Sequence, residues 1–242
     1  MNLKYILVIF ILVISRIDSI TQFRRPCEDL SEECLSKSLQ MAFPIFVQGI
    51  PELGIESLDP YIIDNLDLML AGGLSIQFRQ GIAKGLKDCD VDFAKLIGNT
   101  LETQLHCNLT VKGKYKSLGK LLMFPIDGHG DASIKSRNIR LHGLFKFKSK
   151  VLSDGEKYLE IISSNVEHSY DGRVSYHLTN LLRGNPELSN SVLDFMNDNW
   201  RMVAEELGGP LVDYGVAAVM KNLKQLLTII PMNKMVTVPL NL

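Results

Sequence analysis

Four cysteines and five histidines are the residues of this 242-residue chain whose types and spacing could do chemistry. Cys27 and Cys34 stand with six residues between them inside "PCEDLSEECLSKSL", where such a pair could bind a metal, cycle between thiol and disulfide, or staple a fold. A C-x6-C pair without a second such pair or a well-spaced histidine pair is a poor zinc signature, and C-x-x-C is absent. The histidines, His106, His129, His142, His168 and His177, are scattered along the chain. No G-x-S-x-G elbow, G-x-x-x-x-G-K-[ST] loop or H-E-x-x-H helix occurs. "GHGD" at 128–131 lacks the G-x-G-x-x-G spacing and follows no βαβ pattern, so it reads as a turn. These observations predict no catalytic residue, no metal site and no cofactor, and a protein that is not an enzyme.

The compartment decides what the cysteines are for. The chain opens "MNLKYILVIFILVISRIDSI": Lys4 supplies a positive start, residues 5–14 are an unbroken apolar run, and the small Ser19 follows. This is the pattern of a secretory signal peptide, predicted over residues 1–19 with cleavage near Ser19 or Ile20. Ten apolar residues fall well short of the roughly 20 that span a bilayer, and no later segment is long and apolar enough, so no stable membrane insertion is expected. A secreted, extracellular product follows. All four cysteines, Cys27, Cys34, Cys89 and Cys107, lie after the leader, and an even number in an oxidising compartment reads as two disulfides. Buried free thiols are the alternative for Cys89 and Cys107.

Charge narrows the partners. Removing residues 1–19 takes away Lys4, Arg16 and Asp18 and leaves 24 basic against 26 acidic side chains. That balance argues against a nucleic-acid binder. The basic cluster "KFKSK" at 146–150 reads as a solvated strand face. With no low-complexity tract, repeat or Pro/Gly/Ser-rich linker, residues 20–242 read as one domain.

The elements that position these residues show in the periodicity. Ser31 is placed to cap a helix whose first turn holds Glu32 and Glu33 and whose apolar stripe is Leu35, Leu39, Ala42 and Phe46, with Pro44 expected to kink or end it. Cys34 then falls in the first turn and Cys27 just before it, a geometry that a disulfide could close. From Leu74 onward the period is two: Leu74, Ile76, Phe78; then Leu101 through Cys107 to Val111; then Ile139, Leu141, Phe145, Phe147; then Val174, Tyr176, Leu178. Each strand has one wet and one apolar face, as in an antiparallel sheet, and several exceed the usual length, so the sheet is predicted to be long and curved. Cys89 and Cys107 are each nine residues from Gly98, and a hairpin centred there sets them opposite one another. Asn108 begins the only N-x-S/T sequon and lies on a polar strand face, a candidate glycosylation site. Asn185 as N-cap and Pro186 at the first helical position start a last helical third, whose apolar stripe passes through Val192, Met196, Trp200, Val203 and Leu207 and continues beyond a predicted glycine-proline break at 208–210.

Several segments together resemble the insect juvenile hormone binding protein and takeout family, a branch of the tubular lipid-binding (TULIP) proteins. They are the C-x6-C opening, "GIPELGIESLDP", "GLKDCDV", "GKLLMFPIDGHGD" and "HLTNLLRGNPELSNSVLDFMNDNW", spread in the family's order over nearly the whole mature chain. The resemblance implies an α+β fold in which a long C-terminal helix is wrapped by a long curved antiparallel sheet around an apolar cavity. It also implies that the Cys27–Cys34 bridge is the shared one and that the cavity holds a terpenoid hormone or another long apolar molecule. The second pair departs from the moth hormone carriers, which bridge later positions, and points to a takeout-like member.

The function expected is that of a secreted carrier binding a small hydrophobic ligand. An extracellular protein that engages a receptor and holds only a structural lipid is the alternative. Candidate lining residues are Phe43 and Phe46 on the first helix, Phe145 and Phe147 on a strand, and Met196, Trp200 and Val203 on the long helix, since aromatic and methionine side chains adapt to irregular apolar shapes.

Overall fold

The computed structural model describes residues 27–238 and 240; the predicted leader, residues 1–19, lies outside them. Ser31 caps α1 (Glu32–Gln48), its hydroxyl accepting from the Cys34 N–H at 3.2 Å. The helix does not end at Pro44 but runs on to Gln48, because Phe46 and Val47 beyond the proline are buried and that burial offsets the one lost backbone hydrogen bond.

Among the described residues seven strands follow: β1 (Tyr61–Met69), β2 (Ser75–Lys84), β3 (Asp90–Ile97), β4 (Thr100–Leu121), β5 (Phe124–Val151), β6 (Lys157–Tyr170) and β7 (Val174–Leu178). All pair antiparallel in the order β1-β2-β4-β5-β6. β3 pairs the first half of β4, and β7 pairs the part of β5 just before β6 takes over. β4 and β5, of 22 and 28 residues, are the spine. At about 3.3 Å per residue a straight β5 would reach roughly 90 Å, about twice the roughly 45 Å diameter of a compact chain of this size. The sheet therefore has to curl. Bulges supply the bends: Gln80 and Gly81 oppose Gly113, and Arg137 and Asn138 oppose Asn108, with Gln80 and Asn138 both in the left-handed region at φ 50°.

A bulge also sets the disulfide. Gly98 and Asn99 form a two-residue turn that pairs Ile97 with Thr100, a register that, carried straight back, would place Cys89 opposite Asn108. An extra residue at Asp92 shifts the pairing by one, so that Asp90 meets His106 and Cys89 meets Cys107. The two are bonded, with Cα atoms 4.4 Å apart.

The chain then forms α2 (Pro186–Asp198), α3 (Trp200–Leu227) and the short α4 (Met232–Met235). Asn185 caps α2 as its sequence position implies, accepting from the Leu188 N–H at 3.0 Å. The predicted break at 208–210 is absent: α3 passes through Gly208, Gly209 and Pro210, and the helical run is interrupted earlier, at Asn199 (φ −106°, ψ 34°). Pro210 costs one backbone bond, to the carbonyl of the exposed Glu206. α2 and α3 pack on the inner face of the sheet over one large core, and a smaller core forms where the end of α1 and the 50–58 loop meet Leu226 and Ile230.

Candidate functional site

Alternation along β4 decides the character of the interior. Leu109, Val111, Tyr115, Ser117 and Leu121 point inward, while Lys112, Lys114, Lys116 and Lys120 point to solvent. β1, β2, β5 and β7 present apolar inner faces in the same way. α3 closes the open side with a different kind of surface: Ala204, Gly208, Gly215 and Ala218 stand among Leu207, Leu211 and Val219. Because small residues face the curved sheet, the helix and sheet do not fill the space between them. A cavity of about 270 Å³ remains, walled by these residues together with Leu70, Leu74, Phe78, Ile126, Ile134 and Met196.

The polar groups on this wall are few, and the only charged side chain among the described lining residues, Lys84, is exposed. Tyr115 donates its hydroxyl to the Thr179 carbonyl at 2.9 Å, and burial pushes its phenol up to about 12. Burial, then a hydrogen bond with Tyr214, does the same for Tyr61, also to about 12. Burial is again the first cause at Tyr170 and Tyr176, both raised. All four are neutral phenols at physiological pH. Ser117 and Ser136 differ from them: both line the cavity, and the hydroxyl of each is buried with no hydrogen-bond partner among the described residues. Of the remaining ionisable side chains on the wall, Tyr214 is half-buried and Lys84 is exposed. Among the described residues no carboxylate lines the cavity.

The predicted lining residues are mostly elsewhere. Met196 is on the wall and fully buried. Val203 is sealed in the main core beside the cavity, and Trp200 packs on that core with the Arg201 guanidinium 4.7 Å above its ring. Phe46 belongs to the smaller core, and Phe43 bridges the two cores. Phe145 folds over Gly143, and Phe147 is buried farther along β5; neither reaches the cavity. Phe78, Tyr115 and Met196 line the cavity, so size alone does not mark a lining residue; the space stays open where α3 turns Ala204, Gly208, Gly215 and Ala218 toward the sheet. The signal that could have located it is Tyr115 and Ser117 continuing the apolar stripe of β4, together with the glycine-alanine spacing on α3.

Cys27 and Cys34 lie side by side as unbonded thiols in this structure. The Cys27 Sγ lies 3.1 Å from the Ser38 hydroxyl, and burial foremost, then the hydrogen-bonded Cys34 thiol, pushes Cys27 up to about 11. Cys27 is held in place from the other end of the chain, its carbonyl accepting from the Thr237 hydroxyl at 2.9 Å. Asn108 is exposed, and its Oδ1 accepts from the Asn138 N–H at 2.9 Å. That bond leaves the amide nitrogen, the atom a glycan attaches to, uncommitted to it.

The histidines with polar partners belong to surface networks. His106 sits between Asp92 (2.5 Å) and Asp171 (3.0 Å), and His142 meets Glu102 at 2.9 Å. No group of three or more His, Cys, Asp or Glu that could hold a metal occurs among the described residues, and no helix among them is long and apolar enough to cross a membrane.

A long helix wrapped by a curled antiparallel sheet, with an apolar cavity between them, defines a tubular lipid-binding type of protein. Residues 6–237 match the family model described as "Haemolymph juvenile hormone binding protein (JHBP)", and the chain belongs to that family, which also contains the takeout proteins. It is 29% identical over 206 residues to the "Circadian clock-controlled protein daywake" of Drosophila yakuba, covering 78% of each chain, and 28% identical over 206 residues to that of Drosophila melanogaster, again covering 78% of each. Among solved structures it is similar to Takeout 1 of Epiphyas postvittana, with a TM-score of 0.83 and 32% identity, over 88% of this chain and 98% of that one. The family is one of binders of small lipophilic molecules.

Proposed function

We propose that the protein is a secreted carrier that reversibly holds a small apolar ligand, terpenoid or fatty-acyl in character, in the cavity between the sheet and α3. The observation that carries this reading is a buried space walled by apolar side chains and neutral hydroxyls. A cavity of about 270 Å³ has room for about nine waters at roughly 30 Å³ each, or a comparable number of CH₂ groups. At about 0.8 kcal/mol per CH₂ their transfer supplies about 7 kcal/mol, against which stands the cost of immobilising the ligand.

The unpartnered hydroxyls of Ser117 and Ser136 refine the ligand class. A buried hydroxyl without a partner costs about 1–3 kcal/mol, so a ligand bearing an oxygen function that pairs with one of them is favoured over a bare hydrocarbon. The absence of a carboxylate from the wall and the exposure of Lys84 favour a neutral oxygen function, such as an ester, epoxide, ketone or alcohol.

The test is to secrete the full chain, determine its mature N-terminus, extract it with organic solvent and identify apolar compounds by mass spectrometry. An expected positive is a reproducible oxygenated apolar compound that displaces a fluorescent apolar probe. Protein that is empty and that also fails to bind the probe refutes the carrier reading.

A further inference from the structure

One end of the tube combines a row of exposed lysines with protruding apolar side chains. Along the outer face of β4, every second residue from 112 to 120 is exposed: Lys112, Lys114, Lys116, Leu118 and Lys120. Leu118 pairs with Ser75, and Ser75 with Met69, so the two apolar side chains lie in one cross-strand row. Met123 occupies the turn joining β4 to β5, just beyond Lys120. Met69, Leu118 and Met123 are 73%, 59% and 74% exposed, which is unusual for side chains of their size.

The charge around them is mostly positive. Of the carboxylates in the neighbouring rows, Asp67 is engaged by Arg79 at 2.6 Å, Asp127 by Arg183 at 3.5 Å and Asp131 by Lys114 at 2.5 Å, and Asp64, exposed on β1 opposite Gln80, is the one left without a basic partner among the described residues. Lys112, Lys116 and Lys120 have no carboxylate partner among the described residues. The whole chain carries a net charge of −1, so this stripe is a local feature and not a reflection of overall basicity. On the reverse side of the same segments, Leu70, Leu74, Leu121 and Ile126 line the cavity.

The geometry points to this end as a docking surface for an anionic lipid bilayer. Met69, Leu118 and Met123 enter the boundary between headgroups and acyl chains, and the lysines meet the negative headgroups. Lysines flanking protruding apolar side chains fit a surface that is negative outside and oily just beneath, a combination that a soluble polyanion does not offer. Such docking is peripheral and reversible, and it places one end of the cavity wall, at Leu70, Leu74, Leu121 and Ile126, toward the membrane. It stands on the outer face alone and does not depend on what fills the cavity.

The experiment uses the full secreted chain and sedimentation with vesicles of phosphatidylcholine, with and without about 30% phosphatidylserine. The expected result is binding to the anionic vesicles that weakens as salt is raised. K112Q/K116Q/K120Q is expected to weaken it on the order of 100-fold, at about fivefold per lysine. M69S/M123S is expected to weaken it about tenfold or more, and K146Q/K150Q, on the far part of β5, to leave it unchanged. Unchanged melting temperatures establish that the variants fold. Absence of wild-type binding to anionic vesicles overturns the proposal. So does binding that ignores both the lysine and the methionine substitutions, or retention by a soluble polyanion such as heparin with no affinity for vesicles, which would assign the stripe to an acidic macromolecule.

Discussion

Two glycines on one helix are expected to respond to the same substitution with opposite signs. Gly208 and Gly215 lie seven residues apart on α3, both on the cavity wall. Replacing a helical glycine by alanine ordinarily stabilises by about 0.8–1 kcal/mol. At Gly215 an added Cβ meets nothing within 4 Å, so G215A is expected to show most of that gain. At Gly208 the added Cβ would fall well inside contact distance of the Tyr170 hydroxyl oxygen, with the ring carbon Cζ at 3.0 Å, and Tyr170 is itself buried. Overpacking of this kind costs about 1–3 kcal/mol. Tyr170 is fixed in the core against a helix backbone, so the upper part of that range applies and the net effect of G208A is a loss of roughly 1–2 kcal/mol. Thermal and urea unfolding measure both variants. The melting temperature is expected to rise by about 2–4 °C for G215A and to fall by roughly 2–8 °C for G208A. Y170F removes the nearest atom, so G208A should cost less in that background, with a coupling of about 1 kcal/mol in the double-mutant cycle. If G208A stabilises as much as G215A does, the close approach of α3 to β6 is wrong, and with it the shape of this end of the cavity.

Other outcomes follow from the same geometry. S117A is expected to weaken binding of an oxygenated apolar probe about fivefold or more while leaving a hydrocarbon probe unchanged or tighter, read by fluorescence displacement. C89A/C107A opens a loop of 18 residues and is expected to lower unfolding free energy by about 3 kcal/mol in urea titration. Cys27 and Cys34, already neighbouring thiols, are expected to be bridged in protein secreted through an oxidising compartment, so that alkylation before reduction labels no cysteine and after reduction labels four. His106 first and then Arg140 hold the Asp171 carboxyl below its usual range, and His142 and then Lys95 do so for Glu102. Each contributes stability that is full above the ordinary carboxylate range and is lost as pH falls through the lowered value, so melting temperature should decline between about pH 5 and pH 2, less steeply in D171N.

The fold was legible where one residue type can do only one thing. Ser31 and Asn185 cap their helices as their positions imply, because a side-chain oxygen next to free backbone N–H groups has a single good use. Two-residue alternation gave the antiparallel sheet, since a strand with one wet and one oily face must lie between water and a core. Proline and glycine were less informative. Pro44 and the 208–210 segment remain helical because burial of Phe46 and Val47 in one case, and the approach of Tyr170 to Gly208 in the other, outweigh the local preference. The facing cysteines could be foreseen only in outline, because their register depends on a two-residue turn and on the bulge at Asp92, and the two shifts cancel.

The cavity is less legible than the fold because a large apolar side chain on an inward stripe can face either the core or the cavity. Phe46, Phe147 and Val203 are large or branched and apolar, and such side chains exist in a folded chain to exclude space. A space that persists needs two conditions: a sheet too curved to be filled by the helix it surrounds, and a helix face too small to reach the sheet. Here the first is met by strands of 22 and 28 residues bent at bulges, and the second by Ala204, Gly208, Gly215 and Ala218. Neither condition appears as a hydrophobic motif. The same reasoning separates the roles of the two faces of β4. Its inner residues set how much room a ligand has and which polar group it can satisfy, and its outer lysines and Leu118 set what the tube can approach. Substitutions on one face should therefore change ligand affinity without changing vesicle binding, and substitutions on the other should do the reverse, although neighbouring residues in the sequence alternate between the two.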